Sequence, residues 1–123
     1  MKIILMKTLV IGASANPERY AFLAVNSLLK HNHEVVAIGA HSDSIQNVKI
    51  ETEKLPFEAV HTVSLYLNPQ RQPEYYEYVI GLKPQRVIFN PGTENPEFFN
   101  LLEKANIPYE AACTLVLLST NQF

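Results

Sequence analysis

The stretch Val10-Ile-Gly-Ala-Ser-Ala-Asn-Pro-Glu-Arg19 concentrates the groups best suited to holding an anion. A short apolar run ends at Gly12 and turns toward a helix start, which aims free backbone N–H groups and a positive dipole end at a phosphate. Ser14 adds a hydroxyl and Arg19 a planar guanidinium. Two features oppose tight anion binding: Pro17 removes a donor and Glu18 brings a negative charge. The turn is not a P-loop, because no Gly-Lys-Ser/Thr follows at the required spacing. Nor is it the three-glycine dinucleotide fingerprint, since Ala and Asn-Pro stand where backbone must approach pyrophosphate.

Beyond binding, chemical groups are sparse. His31 and His33 end the first helical segment and His61 opens a strand, so these three read as solvated side chains. His41 alone lies near the expected cleft. No two histidines join a carboxylate in a recognisable metal set, and no Gly-x-Ser-x-Gly nucleophile turn occurs. The single Cys113 excludes an intrachain disulfide and a cysteine metal cage, and reads as a small core residue ahead of a reactive thiol. No catalytic residue and no metal ligand is assigned, so the reading is of a non-catalytic binding module.

Strands and helices must bring these groups together. Apolar runs at Thr8–Ile11, Glu34–Ile38, Thr62–Leu67, Arg86–Phe89 and Ile107–Tyr109 predict five strands buried on both faces, the habit of parallel sheets. Helical periodicity occupies 18–31, where Ala21, Ala24, Val25 and Leu28 share a stripe, then 70–80 with Gly81 as its stop, then 94–105. The expected fold is α/β: a doubly wound, Rossmann-like parallel sheet of five strands, three-layer α/β/α, with strand order 3-2-1-4-5. Residues 43–60 break the alternation and are expected to form an irregular connection or a short edge strand. The apolar Thr114–Leu118 is expected to be a buried terminal element, the cover of a dimer interface or a flap on the pocket.

Eight prolines against four glycines carry positional meaning. Four Asn-Pro pairs, at 16–17, 68–69, 90–91 and 95–96, combine a favoured N-cap with a favoured first helical residue. Because they follow strands, they collect at the carboxyl edge of the sheet, where open α/β folds bind ligands.

The 123 residues are 47% hydrophobic and 18% charged, which fits one domain spanning 1–123. A net charge of −2 argues against a nucleic-acid groove or an anionic membrane surface as partner. The apolar start Met1–Lys7 is too short for a signal peptide, and Met6 reads equally well as the functional start. With no membrane-length run and no disulfide, the expected compartment is the cytoplasm.

The order of motifs carries a family resemblance. Gly-Ala-Ser-x-Asn-Pro with a following basic residue, then a Tyr-Leu-x-Pro turn after the third main strand, resembles the small bacterial coenzyme A-binding proteins. These in turn are similar to the N-terminal nucleotide-binding domain of succinyl-CoA synthetase α-subunits, standing alone. The resemblance runs from Lys7 to Cys113. It implies a phosphate loop at Gly12, Ala13, Ser14, Asn16 and Arg19, and a second turn at Tyr66, Leu67, Asn68 and Pro69. A third loop at Asn90, Pro91, Gly92 and Thr93 is implied as well, with coenzyme A as the cofactor. Its diphosphate would lie over the Gly12–Arg19 turn, its adenine near 66–69 and its thiol end toward 90–93. The family's basic or Asn-Pro element after the second strand has no counterpart in Gly39-Ala-His-Ser-Asp43. The phosphorylated histidine of the ligases sits on a domain that is not part of this chain. Partners implied are a small nucleotide ligand, with a homodimer or an acyl-CoA-using enzyme as the macromolecular options.

Two other readings use the same fold. An NAD(P)-binding oxidoreductase, or a subunit of one, needs an acid or an arginine at the end of the second strand, where Asp43 arrives late. A receiver- or flavodoxin-like signalling domain needs carboxylates at the first and third strand ends, or a Ser/Thr-rich phosphate loop. The sequence has Gly12-Ala-Ser and Leu67-Asn-Pro there.

Overall fold

A computed structural model describes residues 6–123, and Met1–Leu5 lie outside the described residues. The chain runs β1 (Lys7–Ala13), α1 (Tyr20–Lys30), β2 (Glu34–Gly39), β3 (Asp43–Ile45), β4 (Val48–Glu51) and β5 (Val60–Leu65). Two single 3₁₀ turns, Pro69–Arg71 and Pro73–Tyr75, lead into α2 (Tyr76–Leu82). Then come β6 (Arg86–Phe89), α3 (Pro96–Lys104), β7 (Tyr109–Ala111) and α4 (Thr114–Ser119).

The sheet has seven strands in the order β3-β4-β2-β1-β5-β6-β7, parallel throughout except for the β3–β4 pair. The α/β class and the doubly wound layers match expectation, but the strand count and order do not. In the expected numbering, the strand near 62–67 was third and lay outside the second. It lies instead beside β1, as β5. The reason is the segment 43–51, where the short edge strand held open as an alternative is realised as the hairpin β3–β4. Val48 and Ile50 bury one face of it, and β4 takes the free edge of β2 before β5 can.

Alternation along β1 explains the layers. Leu9 and Ile11 face the core under α2 and α3 with Val63, Leu65, Val87, Phe89, Phe98 and Leu102, while Val10 faces α1 with Val25, Leu28, Ala37 and Ile50. The expected stripe of α1 is buried as read: Ala21, Ala24, Val25 and Leu28. The helix expected at 70–80 is broken into two 3₁₀ turns and α2, because Pro73 denies the ladder a donor. Gly81 lies inside α2, and the helix ends at Lys83, whose left-handed φ of 52° does what a glycine was expected to do. The apolar tail is buried along one side, while Val116 stays exposed. Residues 114–119 form α4 against α1, with Thr114 and Leu118 buried. Phe123 then reaches the amino edge of the sheet, where the Arg86 guanidinium lies 4.3 Å over its ring.

Candidate functional site

The carboxyl ends of β1, β2, β5 and β6 surround a cavity of about 840 Å³. Its first wall is the turn after β1, with Gly12, Ala13, Ser14, Asn16 and Arg19 lining it as the sequence reading expected. His41 lines the side beyond β2, and Tyr66, Leu67 and Asn68 the side beyond β5. Pro91, Gly92 and Thr93 complete the far wall. Two expected site residues stand apart from the cavity lining. Pro69 opens the 3₁₀ turn that Asn68 caps, and Asn90 is 1% exposed beneath the floor.

Turn geometry follows from local hydrogen bonds. Asn16 was expected to cap α1, but α1 starts at Tyr20 with Arg19 as its cap residue. The Asn16 side chain instead accepts from the Glu18 amide at 3.0 Å, and Ser14 Oγ accepts from the Asn16 amide at 3.1 Å. The three-residue delay has a useful result. Among the described residues no side chain caps α1, and Arg19, Tyr20 and Ala21 at its start all line the cavity.

Close packing dictates the glycines. A Cβ on Gly39 would stand 2.2 Å from the Ala13 carbonyl oxygen, so β2 and β1 touch through it. Gly12, at φ 92°, likewise admits the backbone of Tyr66, which a Cβ would meet at 2.9 Å. Gly12 therefore joins two walls of the cavity as well as shaping the turn.

Beneath the floor runs a chain of buried polar groups. Asn90 Nδ2 donates to Ser64 Oγ at 2.9 Å and to the Leu65 carbonyl at 2.8 Å, while Asn90 Oδ1 accepts from the Thr114 amide at 2.9 Å. Ser64 and Thr114 share a hydroxyl hydrogen bond of 2.8 Å, and Thr93 donates to the Asn90 carbonyl at 2.7 Å. Farther along, the fully buried Gln72 donates to the carbonyls of Leu67 and Thr93 at 2.9 and 2.7 Å. Asn95 in turn donates to Gln72 Oε1 at 3.0 Å. The loops after β5 and β6 are thus tied to each other and to the start of α4.

Tyr66 lines the cavity and packs against the α1-side core, and its hydroxyl is buried without a hydrogen-bond partner among the described residues. Burial pushes its phenol up to about 12, with Cys113 adding to the rise and the nearby Thr114 and Ser64 hydroxyls opposing it. Tyr66 is therefore neutral at any physiological pH and supplies neither an acid nor a base. Cys113 itself is half-buried at the start of α4. At the opposite edge of the sheet, His33 and His61 are partly covered rather than solvated. Burial and the charge of Arg86 lower both imidazoles.

Sequence reasoning missed Arg71, Tyr75 and the exposed Tyr20, all of which line the cavity. Arg71 carried a usable signal. It follows the Asn68-Pro69 cap by three residues, and its amide donates to Asn68 Oδ1 at 3.1 Å in one tight turn. Gln72 carried none, because a glutamine in a proline-rich stretch looks like solvent-facing loop. Among the described residues, no group of histidine, cysteine and carboxylate side chains is arranged to hold a metal ion. No helix of the described residues is long and apolar enough to cross a membrane.

The cavity can be compared with known proteins. A family model described as a CoA binding domain matches residues 6–119. The crystal structure of an uncharacterized protein is similar with 43% identity and a TM-score of 0.94, over 98% of this chain and 100% of that one. A Thermus thermophilus protein shares the fold at 20% identity and a TM-score of 0.85, over 97% of this chain and 91% of its own. A conserved hypothetical protein from Pyrococcus furiosus does so at 24% identity and a TM-score of 0.81, over 91% and 98%. No curated protein matches the chain.

Proposed function

Because the chain belongs to the CoA-binding domain family, we propose that it binds coenzyme A, or a closely related adenine nucleotide, in the cavity at the carboxyl edge of the sheet. The observation that carries this reading is the pairing of cation and helix end. Arg19 and Arg71 line the same cavity as the uncapped start of α1. Two guanidinium groups and a set of free amides suit a diphosphate, which neither could hold as well alone.

Strand order supports a direction for the ligand that differs from the sequence expectation. The turns after β5 and β6 lie on one side of β1, and residues 39–43 lie on the other. A ligand centred on the first turn therefore extends its adenosine toward residues 39–43 and its pantetheine toward Tyr66 and Pro91–Thr93. The long arm then runs over the part of the cavity whose loops are locked from below. The reading is of a binding module to which no catalytic residue is assigned. The NAD(P) alternative draws no support from the family match.

Calorimetric and thermal-shift titration of the purified protein with coenzyme A tests the reading. Coenzyme A is expected to raise the melting temperature, and Arg19→Ala to weaken binding about tenfold while leaving the ligand-free melting temperature unchanged. Absence of any shift at millimolar coenzyme A would remove the proposal.

A further inference from the structure

The edge of the sheet opposite the cavity holds a cluster built around Arg86, the first residue of β6. Its Nε donates to Thr62 Oγ1 at 2.9 Å and its Nη2 to the Phe123 main-chain oxygen at 2.6 Å, while Nη1 stands 3.6 Å from Glu110. The guanidinium also covers the Phe123 ring, which His33 meets edge-on with centroids 5.0 Å apart. On β5, His61 Nδ1 lies 2.8 Å from Thr62 Oγ1. That hydroxyl already accepts from Arg86, so its own proton is free for His61, which suits a neutral imidazole protonated at Nε2. The other charged and titratable groups here are His31 beside His33, Glu110 on β7, and the pair Lys7–Glu34 at 3.4 Å across β1 and β2. Glu110 is engaged with Arg86 and Glu34 with Lys7, so a proton on His33 or His61 sets a further cation beside the guanidinium.

Phe123 is tied to α4. The amides of Gln122 and Phe123 both return to the Leu117 carbonyl, at 2.7 and 3.1 Å, and Asn121 turns the chain with a φ of 56°. At its other end, α4 closes the cavity floor, where Asn90 Oδ1 holds the Thr114 amide and Ser64 shares the Thr114 hydroxyl. One short helix thus joins the two edges of the sheet. We propose that Arg86, His33, His61 and Phe123 form a proton-operated latch on α4. With both imidazoles neutral the latch holds Phe123 down; with them protonated it releases Phe123 and slackens the Asn90–Thr114–Ser64 contacts beneath the cavity. The sign follows from the surroundings. Burial first, then the charges of His31, Arg86 and His61, lower His33 from the ordinary 6.5, and burial and Arg86 lower His61. A proton therefore favours the released form, so docking is at full strength above 6.5 and weakens as the pH falls below that value. At about pH 5.5 each histidine weakens docking by at most about tenfold, the ratio of protonated to neutral imidazole once released.

The latch works whether or not the cavity is filled, so it is tested without a ligand. Backbone amide NMR signals of the full chain are followed from about pH 8 to about pH 5.5. The Gln122 and Phe123 amides are expected to move toward unstructured positions as the pH falls below 6.5, with the Thr114 amide moving in step. The double variant His33→Gln with His61→Gln is expected to hold all three signals in place across the range. Phe123→Ala, read at the alkaline end, is expected to shift the Thr114 amide in the direction that acid does in the unaltered protein. Signals of Gln122 and Phe123 that stay fixed in acid, or that move equally in the double variant, overturn the latch. Movement of those two with Thr114 unmoved, or a Thr114 signal that Phe123→Ala leaves in place, overturns its link to the cavity floor.

Discussion

The tripeptide Asn-Pro-Glu occurs twice, at 16–18 and 95–97, and the two copies behave differently. At the second, Asn95 is nearly buried, and its amide nitrogen is held by Gln72 Oε1 at 3.0 Å and the Tyr76 hydroxyl at 2.8 Å. Its oxygen is thereby aimed at the amides of Glu97 and Phe98, and α3 begins at Pro96. At the first, Asn16 is exposed and, among the described residues, nothing holds its side-chain nitrogen, so its oxygen closes a local turn onto Glu18 and the helix waits until Tyr20. The motif marks a place where a helix can start. What holds the asparagine from behind decides whether it does, and the copy without support is the one beside the cavity.

That contrast can be broken by substitution. Asn95→Ala removes a cap and strands the Gln72 amide oxygen, so it is expected to cost about 3 kcal/mol in urea denaturation. Gln72→Leu keeps the volume but unpairs the carbonyls of Leu67 and Thr93, with an expected loss of about 2 kcal/mol. The same variant should weaken coenzyme A binding, because both carbonyls belong to cavity loops. Asn16→Ala is expected to change stability by less than about 0.5 kcal/mol. A loss above that of Asn95→Ala would reverse the comparison and make the exposed copy the structural one.

Much of the layering was legible in the residues. The stripe Ala21, Ala24, Val25, Leu28 and the apolar run Arg86–Phe89 appear in the structure with the expected burial, because large apolar side chains in a fixed period leave few arrangements. The segment 43–51 was legible only as an irregular connection or a short edge strand, not as a hairpin of two strands. Val48 and Ile50 do alternate with Lys49 and Glu51, but four residues of period two are too few to separate a strand from a loop. For the cavity, the residues of the first turn were readable from a strand ending in glycine. The supports of the far wall were not, since Gln72 and Asn90 act through partners distant in sequence, 21 residues away at Thr93 and 24 at Thr114. A side chain buried for its hydrogen bonds leaves no hydrophobic pattern to read.

The margins of the sheet bear on how the molecule behaves in a crowd. With a formal charge of −2, it has little overall repulsion to keep copies apart. Both outermost strands, β3 and β7, are three residues long, and each sets a carboxylate at its exposed edge, Asp43 in one and Glu110 in the other. A short ladder with an acid on it is a poor template for another chain. The same brevity that hides β3 from a sequence reading guards the sheet against growing sideways into a fibre.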